Sequence, residues 1–389
     1  MALKNRDILV VGGGIGGLAV ACALRQQGAH VRVLEQAAAI TEVGAGIQIS
    51  PNGLRVLDAL GLGETFRDKT IRGQAVSLRD YRIGHEVLRL DLTRLQQDQR
   101  YSFVHRADMI ALLVQAAQDA GVEILLNREV TGVAGGKVTC ADGSFETADL
   151  IIGADGLHSV IRSMLNGSSA PFFTGQVAWR ALVPNADGHP AEAQVHMGPG
   201  RHVVTYPLRD GALLNIVAVQ ERAGWAEEGW NHRDDATNLR AAFSDFGGPL
   251  ADQLARVEEP GLWGLFRHPV ARVWHDDRHA ILGDAAHPTL PFLAQGANMA
   301  LEDAWALAAC LDAMAQSEAL RAWQALRQPR VKRVIEAANG NARKYHLRNP
   351  LVRGVAHLGL GLLGRAAPTA MLRQFDWLYG YDVTRDAPE

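Results

Sequence analysis

The chain has 389 residues, 48% of them hydrophobic and 21% charged, with 39 basic against 42 acidic residues and a net charge of −3. That length holds two or three domains with real cores and excludes a small stapled scaffold. The charge balance excludes the basic excess of a nucleic-acid binder and the bias of a disordered chain, while one count is skewed: 40 glycines against roughly 27 at average usage.

The three cysteines, Cys22, Cys140 and Cys310, are far apart and form no Cys-x-x-Cys or Cys/His spacing, which argues against disulfides and a metal site and suits a reducing compartment. At the N-terminus the apolar run from Ile8 to Val11 is broken by glycines, so it does not read as a secretory signal. The longest weakly charged apolar stretch, residues 351–371, contains Arg353, His357 and Arg365. The expectation is a soluble cytoplasmic protein with no transmembrane segment, in which this stretch is an amphipathic helix suited to a membrane surface or an oligomer contact.

In chain order, residues 7–11 read as a short buried strand, 18–27 as a helix stopped at Gly28, and 31–34 as a second strand. This unit has the size of a dinucleotide-binding opening. Residues 42–46 form a glycine-rich loop, and Ser50 caps a helix with Pro51 in its first turn. Residues 74–92 alternate about Arg82-Ile-Gly84 as a hairpin. A helix follows at 106–120, a strand at 122–126, a meander at 130–145 and a buried strand at 149–152. Residues 172–222 are strand-rich, notably 176–183, 202–208 and 213–220. Helical patterns around 236–255, a strand at 280–282 and amphipathic helices at 298–311 and 319–339 complete the pass. Strand–helix and strand-only segments interleave, which predicts a cofactor domain (1–73, 98–171 and 272–345) interrupted by a sheet domain (74–97 and 172–271), with a helical segment at 346–389.

Three strand-to-turn segments carry chemistry. Gly12-Gly13-Gly14-Ile15-Gly16-Gly17 satisfies G-x-G-x-x-G between a strand and a helix. Gly12 permits the tight turn, Gly14 lets backbone approach a pyrophosphate, Gly17 lets helix pack on strand, and the helix start at Ile15 supplies amide donors. Glu35, at the end of the second strand, is placed for ribose hydroxyls. The run Gly153-Ala-Asp-Gly-Leu-His-Ser-x-x-Arg162 offers Asp155, which either binds a ligand or simply pairs with Arg162. The run Gly283-Asp-Ala-Ala-His-Pro288 offers Asp284, suited to the hydroxyls of a polyol.

In this order and spacing the three runs resemble the motifs of the single-component FAD-dependent aromatic hydroxylases, the family of para-hydroxybenzoate and salicylate hydroxylases. The resemblance covers nearly the whole chain, including Gly44-Ala-Gly-Ile-Gln-Ile-Ser-Pro-Asn52, His105-Arg-Ala-Asp108, Gln295-Gly-Ala-Asn-Met-Ala-Leu-Glu-Asp303 and Trp377-Leu-Tyr-Gly-Tyr-Asp382. The last pieces are most similar to the salicylate, 3-hydroxybenzoate and 6-hydroxynicotinate hydroxylase branch. The resemblance implies an α/β fold, with a Rossmann-like FAD-binding domain interleaved with a β-sheet substrate domain and C-terminal helices. It implies that Glu35 holds the adenosine ribose, Arg106 contacts the FAD phosphate or ribityl region, Asp284 binds the ribityl chain and Asp155 serves both FAD and NAD(P)H. The implied reaction uses NADH or NADPH as a transient co-substrate and O2 to hydroxylate a phenolic or hydroxylated heteroaromatic acid by way of a flavin C4a-hydroperoxide. A large lipophilic ring, such as a ubiquinone precursor or a polyketide, is the alternative substrate. The alternative class is an NAD-dependent dehydrogenase, against which the Asp155 and Asp284 runs weigh. Oligomeric state is open between monomer and homodimer.

At Gly296, Ala297 and Asn298 a long helix begins, and its free amides and positive end are suited to a flavin pyrimidine edge. His202 and Tyr206 stand four apart on a predicted strand and share a face. The pair is suited to bonding a substrate hydroxyl and taking its proton, the histidine titrating near neutrality. An equally open reading makes His202 a sheet residue and Tyr206 core. The spacing is similar to the His-x-x-x-Tyr of the 3-hydroxybenzoate 6-hydroxylase branch, where a glutamine preceding Gly-Ala lies across the substrate, here Gln295. Arg180 is a candidate for a substrate carboxylate, although a structural arginine is the preferred reading. His287 is assigned to flavin-loop architecture, and Trp225, Trp230, Trp263 and Trp274 receive no role.

Overall fold

The protein is described from a computed structural model covering residues 3–40, 45–224 and 233–387; residues 42–44 of the glycine-rich loop, Trp225, Trp230 and His232 lie outside the described residues. Strands β1 (Asp7–Val11), β2 (His30–Leu34), β8 (Glu123–Leu125), β12 (Leu150–Gly153) and β18 (His279–Ile281) form a parallel sheet in the order β18–β12–β1–β2–β8. The residues of β1, β12 and β18 are nearly all apolar and buried, the signature of a sheet covered on both faces. Helix α1 (Ile15–Gln26) packs against α4 (Arg106–Asp119) and α8 (Gly296–Ala313). Its small residues permit close approach: a Cβ on Gly16 would stand 2.8 Å from Leu282 and 3.3 Å from Ala300. Because β1, β12 and β18 are parallel neighbours, their carboxyl ends deliver Gly12, Asp155 and Asp284 to one rim.

A second sheet of seven strands contains β5 (Ala75–Asp80), β6 (Glu86–Asp91), β13 (Phe172–Pro184), β14 (Glu192–Gly198), β15 (Arg201–Leu208), β16 (Leu213–Glu221) and β17 (Gly261–Arg267), in the order β17–β13–β16–β15–β14–β5–β6. Trp179, Val203 and Ile216 point to one face and pack under Phe243, Phe246 and Leu250 from α6 (Ala236–Ala242), α7 (Pro249–Ala255) and their connection. The pairings His202↔Val219, Tyr206↔Asn215 and Arg180↔Val217 place those residues on the opposite face. That face meets the first half of the molecule. The small sheet of β3 (Gly46–Ile49), β7 (Ser102–His105) and β4 (Ile71–Arg72) makes the junction, where Gly46 donates its amide to Asn215 Oδ1 at 2.7 Å. A meander of β9 (Val130–Ala134), β10 (Lys137–Cys140) and β11 (Phe145–Thr147) stands beside α5 (Val160–Asn166), while α2 (Pro51–Ala59) and α3 (Gly63–Asp68) follow β3.

Helix α9 (Gln316–Tyr345) is longer than its periodicity predicts and carries Pro329 in its interior. The expected helical stretch at 236–255 is two helices, parted where Gly248 adopts φ +67°. Residue 46, read as loop, begins a strand, and β7 and β17 were also unread. The surface segment after residue 350 is α10 (Pro350–Ala366), which turns Leu351, Val355, Leu358 and Leu362 outward. Among the described residues no helix is long and apolar enough to cross a membrane, and no cluster of three potential metal ligands occurs.

Between α8 and α9 lies a buried charge cluster, of which only Arg330 keeps a slight solvent exposure. Arg327 contacts Glu302 at 2.6 Å and donates to Asp303 at 2.9 Å, and Arg330 donates to both Glu302 oxygens at 2.8 Å. Burial pushes the Glu302 carboxyl up, but Arg327 and Arg330 outweigh it and hold it below the ordinary range. Asp303 is likewise pushed up by burial and pulled below its ordinary range by His287 and Arg327. Carboxyls depressed in the fold stabilise it above their unfolded values near about 4, and that contribution is lost as pH falls through the folded values. Arg327→Leu, which strands two buried carboxylates with one guanidinium, should cost about 3–5 kcal/mol in urea unfolding, whereas Arg233→Ala at the exposed pair with Glu259 should leave the midpoint in place. Equal midpoints for the two variants would contradict this view of the cluster.

Candidate active site

The glycines of the first turn serve different constraints. Gly12 has φ +105°, and a Cβ there would lie 2.4 Å from the Ala154 carbonyl oxygen; a Cβ on Gly17 would lie 1.9 Å from the Gly12 oxygen. The fold itself demands both. At Gly14 a Cβ would meet no protein atom within 4 Å, so the bare backbone there opens onto free space before the α1 N-terminus. Leu18 N is bonded to Gly14 O at 2.9 Å, which leaves the amides of Ile15, Gly16 and Gly17 without intrahelical acceptors. Glu35 accepts from Gly13 N at 2.7 Å and Ala37 N at 2.8 Å, fixing the turn while each oxygen keeps a lone pair for a hydroxyl donor.

On the same rim, Asp155 Oδ2 accepts from Val160 N at 2.9 Å, while Oδ1 is buried with no partner among the described residues. Burial raises its pKa. Arg162 does not pair with it: the guanidinium donates to the carbonyls of Ala285, Ala286 and Pro269 at 3.0, 3.1 and 2.7 Å, tying the second chemical turn to the third. Asp284 is exposed on the same rim; the surrounding protein pushes its carboxyl up by burial, with His287 and Arg106 holding it back. Arg106 opens α4 with its amide on Ala45 O at 2.9 Å. Behind Asp284, Asp303 Oδ2 accepts from Gly283 N at 3.2 Å and bonds His287 Nε2 at 2.5 Å.

The start of α8 departs from expectation in its side chains. Gln295 is buried and its amide is spent on Ser50 Oγ at 3.0 Å and Asn52 at 3.1 Å, so it ties α2 to α8 rather than lying across a ligand. The Asn298 side chain accepts from Ser50 N at 3.0 Å and donates to Ala294 O and Gln48 O at 2.8 and 3.1 Å, leaving only its amide for a ligand. Met299 N is bonded to Gln295 O at 2.8 Å, so the amides of Gly296, Ala297 and Asn298 lack intrahelical acceptors. A Cβ on Gly296 would make only ordinary contact, 3.5 Å from the Thr289 methyl. As at Gly14, the fold does not require this glycine.

Across the junction, Tyr206 stacks near Phe103 at 5.1 Å and abuts Gly46, where a Cβ would stand 2.5 Å from its ring. Burial pushes the Tyr206 phenol above its ordinary range, with Arg180 close enough to oppose the shift. Arg180 lies over Trp263 at 5.2 Å. His202 is buried among Phe292, Tyr345 and His346, with Nδ1 2.7 Å from His346 Nε2. Burial, then His346, pushes its pKa well below the usual range, so it is neutral at neutral pH instead of titrating there as expected. Four residues along a strand span about 13 Å, so His202 and Tyr206 cannot grip one oxygen. The sequence reading missed His346, which follows a helix expected to end at residue 339, and the positioning roles of Glu302 and Asp303 inside a quoted run.

Free amides at two helix starts, hydroxyl acceptors at Glu35 and Asp284, and two glycines, Gly14 and Gly296, that the fold does not require fit a long nucleotide with a polyol section. The sequence profile of the FAD binding domain family matches residues 5–338, and the chain belongs to that family. Along nearly its whole length it is similar to a 3-hydroxybenzoate 6-hydroxylase of Klebsiella oxytoca, 35% identical over 97% of each chain. It is also similar to a 3-amino-4-hydroxybenzoate 2-monooxygenase of Streptomyces platensis, 34% identical over 98% of this chain and 97% of that one. Among solved structures, Klebsiella pneumoniae HpxO complexed with FAD and uric acid superposes with a TM-score of 0.83 at 26% identity, covering 95% of this chain and 96% of that one. The protein is an FAD-dependent aromatic-ring monooxygenase that uses NAD(P)H and O2.

The two classes of glycine should separate on substitution. Gly14→Ala should fold with a normal melting temperature but purify with reduced FAD, whereas Gly17→Ala should lose stability as well. Normal FAD content in Gly14→Ala would sink the assignment of that open space to the cofactor.

Proposed function

We propose that the enzyme hydroxylates a phenolic or hydroxylated heteroaromatic acid, of the salicylate, 3-hydroxybenzoate or 6-hydroxynicotinate type, at the inner face of the seven-stranded sheet. The observation that carries the reading is the placement of Arg180, Tyr206 and His202 on that one face. Arg180 and the protonated Tyr206 phenol take the substrate carboxylate at one end, Arg180 by charge-assisted hydrogen bonds. At the other end neutral His202 accepts the proton of the ring hydroxyl and so raises the electron density of the ring. Bound FAD, reduced by NAD(P)H, supplies activated oxygen.

Gly12, Gly14, Ile15 and Gly17 cradle the pyrophosphate in this reading, Glu35 the adenosine ribose, Asp284 and Arg106 the ribityl region, and Asp155 the passage between FAD and NAD(P)H. The amides of Gly296, Ala297 and Asn298 face the flavin pyrimidine edge, where they oppose negative charge on the reduced ring. Gln295 sets the angle of that helix start through Ser50 and Asn52. The relatives support the substrate class by name, being hydroxylases of hydroxylated benzoates. Residues 1–73, 98–171 and 272–345 are taken as the FAD-binding domain, 74–97 and 172–271 as the substrate domain, and 346–389 as a C-terminal segment. The enzyme is taken as a cytoplasmic monomer or homodimer.

The purified protein should be yellow and should oxidise NAD(P)H in response to one member of a panel of hydroxybenzoates and hydroxynicotinates. Silence toward all of them would remove the aromatic-acid reading. Arg180→Ala should raise KM for that acid about 10- to 100-fold with a smaller effect on kcat. His202→Ala should lower hydroxylation about 100-fold with FAD still bound. Unchanged turnover in His202→Ala would return this residue to a structural role.

A further inference from the structure

His202 is the inner end of a hydrogen-bonded row that runs out of the protein. Its Nδ1 is 2.7 Å from His346 Nε2, and His346 Nδ1 is 2.8 Å from Glu221 Oε1. The Glu221 side chain is 32% exposed, and its second oxygen pairs with Arg348, which is 70% exposed. The row thus passes from a buried ring packed against Phe292 and Tyr345 to the solvent in three side chains.

The single carboxylate fixes every proton in the row. A carboxylate only accepts, so His346 carries its hydrogen on Nδ1 and presents a lone pair at Nε2. His202 must therefore carry its own hydrogen on Nδ1, which leaves a lone pair on Nε2, an atom that no described residue hydrogen-bonds. This is the tautomer a base needs. Burial favours the neutral form of both rings, Glu221 opposing the shift at His346. Burial raises the Glu221 carboxyl, but Arg348 and His346 outweigh it and keep it ionised. The other titratable groups facing the row are the Tyr345 phenol on α9, pushed up by burial to about 12, and Arg348 beyond the helix end.

The backbone holds the row in register. Gly200 N donates to His346 O at 3.2 Å, and Glu221 N donates to Gly200 O at 3.0 Å, so the β14–β15 turn clamps the end of α9 to the end of β16. Gly200 sits at φ +68°, where a Cβ would also stand 2.9 Å from the Arg348 guanidinium.

We propose that His202, His346 and Glu221 form a proton relay that carries the substrate hydroxyl proton to solvent. The proposal rests on the reading of His202 as the base. As the ring hydroxyl ionises, its proton bonds to His202 Nε2, the Nδ1 proton of His202 passes to His346 Nε2, and the Nδ1 proton of His346 passes to Glu221. Each ring gains and loses one proton and stays neutral, and Glu221 releases the proton to water. Return of a proton when the product regains its hydroxyl runs the row backwards and restores both tautomers. His346 and Glu221 act through His202 and are positioning residues for it. Buried without them, His202 would have to hold an unshared positive charge, which burial opposes.

Glu221→Gln is the discriminating variant, because the amide oxygen still accepts from His346 and preserves the geometry but takes up no proton. The holoenzyme is mixed in a stopped-flow instrument, in weak buffer with a pH-indicator dye, with salicylate, 3-hydroxybenzoate or 3-amino-4-hydroxybenzoate, and the proton released on binding is followed. Wild type should release a proton with the ligand that it hydroxylates. Glu221→Gln and His346→Leu should slow that release about tenfold or more and lower kcat, with FAD content and ligand Kd unchanged. Release at the wild-type rate in Glu221→Gln, with release abolished in His202→Ala, would overturn the relay and leave the base standing. No release from wild type with any of the three ligands, together with no hydroxylation, would overturn the substrate reading and the relay with it.

Discussion

Glu302 and Asp303 on α8 meet Arg327 and Arg330 on α9 in a cluster where the first three side chains have no solvent exposure and the fourth only 9%. Such a cluster adds little net stability over apolar packing, because desolvation consumes most of the attraction. What it enforces is position, since none of its members can shift without stranding another's charge. Asp303 reaches the turn behind Asp284 through Gly283 N and His287, and Glu302 accepts from Asn52 at 2.6 Å at the start of α2. Arg330 donates to the carbonyls of Trp377 and Leu378 and lies 3.7 Å from the Tyr381 ring centre, which accounts for the terminal run that resembles other members of the family. The flavin rim, the α2–α8 seam and the C-terminal turns therefore hang from one charge cluster.

The first half of the fold was legible because its signals are local. A strand, a glycine turn, a helix and a strand occupy consecutive residues, and the backbone crowding at Gly12 and Gly17 is encoded at those positions. The sheet domain was legible as a class but less so in detail. β3 is only four residues long and begins with a glycine, and β17 contains two glycines, so neither carries an alternation long enough to read. Their partners β7 and β13 lie far away in sequence.

The candidate site divides along the same line. Residues that act through backbone, such as Gly14 and Gly296, stand where their motifs put them. Side-chain roles were harder, because a side chain's partners come from elsewhere in the chain. Gln295 was expected to lie across a ligand, and its side chain is instead taken up by Ser50 and Asn52, 245 and 243 positions away. His202 was expected to titrate near neutrality, and its burial against His346 reverses that. Part of the glycine excess also changes meaning. At Gly46 the absent Cβ makes room for Tyr206 and so joins the two halves of the molecule, while at Gly53 it lets the Asn298 side chain approach α2.

In the proposed reading an aromatic acid is oriented between Arg180 and His202 so that oxygen is delivered to its ring. The most direct test is to turn over the best acid of the panel under ¹⁸O2 and to identify the product by mass spectrometry. The account predicts one labelled oxygen on the ring for each NAD(P)H consumed. Consumption of NAD(P)H that yields hydrogen peroxide and no labelled product with every acid would contradict it.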